Sequence, residues 1–114
     1  MTELSQSSDS TVRWFDLTGF ERDILRVAYQ MDQPSGQAIR RRFQSVHDED
    51  INHGRLYPNL DDLVSYGLVE KGTKDQRTNY YEVTNDGRRL VEKTAQEFRN
   101  TVSAVATDGG DRSE

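Results

Sequence analysis

Ile51–Val69 reads INHGRLYPNLDDLVSYGLV, and the reading of this stretch decides the fold. Leu56, Leu60, Leu63 and Val64 recur at i, i+4, i+7 and i+8, the spacing of one helix face. Pro58 lies inside that pattern, where its ring presses on the carbonyl four residues back and one backbone donor is lost. If Asn52 caps the helix, Pro58 falls in the second turn and presses on Gly54, which has no Cβ. The segment is therefore predicted as one helix with a locally loosened or bent start. Asn52, Arg55 and Asn59 lie along one flank of it at i, i+3 and i+7, in its N-terminal half. Asp61 and Asp62 follow in the C-terminal half.

Upstream, Thr18-Gly19-Phe20-Glu21 has the form of a capping box, with Thr18 as N-cap and Glu21 reaching back. Phe20, Ile24, Val27, Ala28 and Met31 then form the inner stripe of a first helix of about four turns, ending near Asp32-Gln33-Pro34. Ser35 caps a second helix from Gly36 to about Val46, with Ile39, Phe43 and Val46 inward. Arg40, Arg41 and Arg42 sweep around its outside.

Downstream of Gly67 the period changes. Leu68–Gly72 is a strand candidate, 73–77 a polar turn, and Thr78–Val83 (TNYYEV) a β-prone strand with Tyr81 and Val83 on one face. Thr84 or Asn85 caps a last helix running to about Ala106. Its apolar residues Val91, Ala95, Phe98, Val102 and Val105 are spaced 4, 3, 4, 3, which is a heptad seam. About 22 residues at 1.5 Å rise make a rod of roughly 33 Å, too long for so small a body to cover. A homodimer through this helix is expected.

Composition bounds the rest. The chain has 114 residues, enough for one compact domain. Only 32% of them are hydrophobic, against roughly 45–50% in a typical domain on a scale that also counts Gly. Polar ends explain part of this, and 1–11 and 107–114 are read as disordered tails. With no cysteine, disulfides, thiolate catalysis and Cys-ligated zinc are excluded. No apolar run reaches membrane-spanning length and the N-terminus is no signal peptide, so a soluble, cytoplasmic protein is expected.

Net charge is −5, the wrong sign for a simple nucleic-acid binder. Lysine appears only at Lys71, Lys74 and Lys93, while arginine is common. An acidic, Lys-poor chain suits a very salty cytoplasm, where the Debye length falls to about 3 Å near 1 M salt and net charge loses reach.

Three helices followed by a hairpin spell a winged helix-turn-helix: mainly α, with a β-hairpin and a long C-terminal dimerisation helix. In that layout the third helix enters the major groove of double-stranded DNA and the wing touches the backbone or minor groove. Arg can pair with guanine and Asn with adenine there, which suits Asn52, Arg55 and Asn59. Lys74 and Arg77 at the hairpin tip, and Arg40, Arg41 and Arg42, are candidates for phosphate contacts. Each is also an ordinary solvated cation when taken alone. A metal at His47, Asp48, Glu49, Asp50 and His53 is less expected than a solvated turn, and no cofactor is predicted. No HExxH spacing or nucleophile elbow occurs, so no catalytic residue and no enzyme is expected. Tyr57, Tyr66, Tyr80 and Tyr81 are assigned to packing.

The blocks LTGFERDIL (Leu17–Leu25), INHGRLYPNLDDLVSYGLVEKG (Ile51–Gly72) and DQRTNYYEVTNDGRR (Asp75–Arg89) resemble the PadR-like winged-helix transcriptional regulators of haloarchaea. LYP followed by a leucine, then GLVEK, and the pattern from Tyr81 to Gly87 carry the resemblance. It implies a homodimer on a pseudo-palindromic site; a narrower likeness of the whole chain to an oxidative-stress regulator of this group implies a role in that response. DNA contact is implied for Asn52, His53, Arg55 and Asn59, and wing contact for Lys74, Gln76 and Arg77. Longer family members have a further effector domain; this chain has one C-terminal helix, so a small-molecule effector stays unknown. Trp14 and Phe15 are predicted to pack on the dimer helix. The expected organisation is a tail (1–11), a winged-helix domain (12–84), a dimerisation helix (85–106) and a second tail (107–114). The rival reading is a winged-helix protein-interaction module that does not bind DNA.

Overall fold

The computed structural model describes residues 11–112, with side chains as far as Val105. The predicted N-terminal tail thus lies outside the described residues, apart from Thr11. A 3₁₀ turn (Trp14–Asp16) leads into α1 (Gly19–Tyr29), α2 (Gly36–His47) and α3 (His53–Ser65). Then come β1 (Val69–Lys74), β2 (Thr78–Val83) and α4 (Asn85–Arg112).

Local chemistry starts each helix. Thr18 Oγ1 accepts from Glu21 N at 3.1 Å while Glu21 Oε1 accepts from Thr18 N at 2.9 Å, the reciprocal cap expected from the sequence. Ser35 accepts from Ala38 N at 3.0 Å and Asn52 from Arg55 N at 2.9 Å. Thr84 accepts from Gly87 N at 3.0 Å and so caps α4.

Helix ends differ from the prediction. α1 stops at Tyr29 rather than near Asp32, because its last bonds tighten to Gln30 N→Val27 O and Met31 N→Ala28 O. Beyond them Gln33 turns left-handed, with φ 44°, and Pro34 disfavours helix before it. In α2, Val46 does not face inward; it is 54% exposed. His47, one turn after Phe43, takes the inner place instead, its ring 4.2 Å from that of Phe43. α3 is a single helix through Pro58. α4 runs to Arg112, past the end expected near Ala106.

The core joins Ile24, Leu25 and Ala28 of α1, Ile39 and Phe43 of α2, and Leu56, Leu60 and Leu63 of α3 to Val69, Tyr81 and Val83 of the hairpin. Each of the larger aliphatic side chains and Phe43 contributes about 1.5–3 kcal/mol when withdrawn from water. Ile51, 2% exposed, anchors the link between α2 and α3 in the same core. Gly36 permits the α2–α3 contact: a Cβ there would collide with the ring of Tyr57.

The strands pair antiparallel, Val69 opposite Val83 and Lys74 opposite Thr78. β1 begins one residue later and ends two residues later than the predicted Leu68–Gly72. A bridge between Ser35 and Tyr80, with Tyr81 N donating to Pro34 O at 2.8 Å, ties the hairpin to the start of α2. Asp75 and Gln76 make the turn with φ 56° and 62°, both left-handed.

Candidate nucleic-acid interface

The buried stripe of α3 fixes which residues look outward. Leu56, Leu60 and Leu63 are fully buried, which leaves Asn52, His53, Gly54, Arg55, Pro58, Asp61 and Asp62 exposed and Asn59 half-buried.

Several of these side chains lean on the protein itself. The Arg55 guanidinium lies over the ring of Phe20, 3.7 Å from its centroid, a cation–π arrangement. Asn59 Nδ2 donates to Arg55 O at 2.7 Å. His53 stacks on Tyr57, with centroids 5.5 Å apart and planes 9° from parallel, and its Nε2 is 2.7 Å from Gln37 Nε2. No local sequence signal marks Gln37 for this contact. Only the fold brings the first turns of α2 and α3 together.

The three arginines of α2 have separate surroundings. Arg40 donates from Nε to Asp50 Oδ1 at 3.0 Å and from Nη2 to Asp50 Oδ2 at 2.9 Å, and Asp50 Oδ1 also accepts from Ile51 N. The guanidinium beside Asp50 holds its carboxyl below the usual carboxylate range, and Asp50 in turn raises Arg40. Arg42 donates to Gln30 Oε1 at 2.7 Å. Arg41 is exposed. On the wing, Lys74 Nζ donates to Gln33 O at 3.1 Å, while Gln76 and Arg77 are exposed at the tip.

Among the described residues no group of three or more His, Asp or Glu is placed to hold a metal. Around the acidic turn, Asp50 binds Arg40, His47 packs at a tilt against Phe43, and His53 stacks on Tyr57. No helix of the described residues is long and apolar enough to cross a membrane.

α4 carries the other surface. Val91 and Ala95 are half-buried beside the body, whereas Phe98, Val102 and Val105 are 62%, 68% and 50% exposed. Trp14 is half-buried against the core and Phe15 is 65% exposed. The two border a groove of about 430 Å³ with Leu68, Leu90 and Thr94.

Three helices, a wing tied back to the second helix, and a third helix with an open N-terminal half define a winged helix-turn-helix, the fold of many DNA-binding transcription regulators. A family model described as the transcriptional regulator PadR-like family matches residues 24–93, and the chain belongs to that family. It is similar to a structure of H. salinarum RosR, at 40% identity over 84% of this chain and 96% of that one, TM-score 0.64. A complex structure of hsRosR is 39% identical over 88% and 97%, TM-score 0.66. A PadR family transcription regulator from Clostridium difficile, 24% identical over 78% and 97% with TM-score 0.59, shares the fold. No curated protein matches the chain.

Proposed function

We propose that the chain acts in the cytoplasm as a homodimer on a pseudo-palindromic DNA site, with one α3 in each of two major-groove segments. The observation that carries this is the exposed apolar row of Phe98, Val102 and Val105 on a helix that outruns its own domain. A second copy of α4 would cover that row. The two α3 helices would then lie about one turn of DNA, roughly 34–36 Å, apart. Asn52, His53, Arg55 and Asn59 are the proposed base-facing set, with Arg41, Gln76, Arg77 and Lys74 toward the backbone. The pairing of Arg40 with Asp50 favours a bracing role for Arg40.

We further propose that the protein regulates genes of a stress response, oxidants being the expected signal. Sensing through a thiol of this chain is excluded, since it has none. Genome-wide mapping of bound DNA with and without oxidant tests this reading. Occupancy at paired half-sites that shifts with oxidant is expected; occupancy indifferent to oxidant would remove the stress role. Single half-sites bound by a monomer would remove the dimer.

A further inference from the structure

The long polar side chains do not occupy the middle of the outer face of α3. Opposite the stripe of Leu56, Leu60 and Leu63, the centre of that face runs through Gly54, Pro58, Asp61 and Ser65, all exposed. Arg55 lies to one side on Phe20, and Asn59 is bonded to the helix backbone. To the other side, His53 stacks on Tyr57. What faces outward in the N-terminal half is a glycine and a proline ring.

Neither residue is explained from inside the protein. A Cβ at Gly54 would meet only Asn52 Oδ1, at an unstrained 3.5 Å, and alanine is the better helix former. Pro58 is exposed and has no N–H for the carbonyl of Gly54; alanine would restore that bond. Gly36 is the contrast, since the Tyr57 ring fills the space its side chain would need. Residues that break local rules without internal return are expected where a surface serves a partner.

We propose that Gly54 and Pro58 determine DNA specificity: Gly54 lets α3 settle against the base edges, and the Pro58 ring packs on the 5-methyl group of a thymine. This rests on α3 being the helix that enters the groove. A proline ring offers neither donor nor acceptor, so the thymine methyl is the major-groove feature it can read. Asp61, next along the same line, is repelled by phosphate and confines the close approach to the N-terminal half.

The test begins by selecting duplexes from a random pool with the wild-type chain at molar KCl. The selected site is then synthesised with each thymine in turn replaced by uracil, which removes only the methyl. One thymine should be found whose replacement weakens wild-type binding about fourfold, the worth of one buried methyl. Pro58→Ala should lose that sensitivity, and Gly54→Ala should bind the unmodified site roughly tenfold more weakly, as an overpacked contact does. Both variants should melt no lower than wild type. A flat uracil scan, uracil sensitivity kept in Pro58→Ala, wild-type affinity in Gly54→Ala, or a lower melting point in either variant overturns the proposal. Arg55→Ala on the same site separates the failures. If it weakens binding while the other two changes are silent, α3 reads DNA and only this inference fails. If wild type selects no site, or Arg55→Ala is silent as well, the placement of α3 in the groove fails with it.

Discussion

Asp50 takes both forks of the Arg40 guanidinium, at 3.0 and 2.9 Å, and so links the second turn of α2 to the residue just before buried Ile51. Two residues further on, Asn52 caps α3. The pair therefore braces the segment that leads into α3. Arg40→Ala and Asp50→Asn should weaken DNA binding to similar extents. Neither should alter the slope of log affinity against log salt, because no phosphate contact is removed. Arg41→Ala should reduce that slope by about 1. A shallower slope in Arg40→Ala would mean that Arg40 touches phosphate after all.

The same pair predicts a pH dependence. The carboxyl of Asp50 is lowered in the folded protein by Arg40. Its stabilisation is thus present above the unfolded value, about 3.9, and is lost as pH falls through the folded one. Melting temperature should drop more between neutral and acidic pH in wild type than in Asp50→Asn. Parallel curves would show that the pair adds nothing to stability.

Arg55→Ala should cost about 1–3 kcal/mol of DNA affinity and relax preference at one base position. Its cation–π partner gives a companion variant: Phe20→Leu removes the ring under the guanidinium. That change should loosen the preference less than removing Arg55 itself. Selection from a random pool with each variant reads both effects.

Gly36→Ala should destabilise the protein by about 1–3 kcal/mol, the usual penalty of overpacking, because the new methyl group would meet the Tyr57 ring. Urea unfolding measures it. A double variant that also shortens Tyr57 should recover part of the loss.

Phe98→Glu and Val102→Glu alter only exposed positions of α4. The melting of the winged-helix body in isolated monomers should be little changed, while sedimentation should show loss of the dimer. An unchanged dimer would place the interface elsewhere on the chain.

Much of the fold was legible because its signals are local. The box of Thr18 and Glu21, the caps at Ser35 and Asn52, and the alternation that buries Tyr81 and Val83 all lie within a few residues of what they act on. Val46 fits the inward stripe yet is exposed, because a periodic pattern does not encode whether anything lies opposite the last turn of a helix. The end of α1 depended on a left-handed Gln33, a residue type that rarely announces such a φ. In the candidate site the helix was legible, but its middle was not. Hydrogen-bonding side chains mark a recognition face in the sequence, whereas Arg55 on Phe20 and His53 beside Gln37 are meetings between elements. No spacing rule encodes such meetings. The outward line of Gly54, Pro58 and Asp61 could have been found, since it is the complement of the leucine stripe.

The wing turn shows what this protein keeps at the expense of easy folding. Asp75 and Gln76 both hold left-handed backbone angles, 56° and 62°, where Asn-Gly is the comfortable pair. Glycine at position 76 would relax the turn and remove its amide, leaving Asp75 and Arg77 at the tip. The hairpin instead retains a long amide with two donors and an acceptor at its outermost point. A stability screen of this chain would select Gln76→Gly as an improvement, and the improved hairpin would have lost the amide it carries outward.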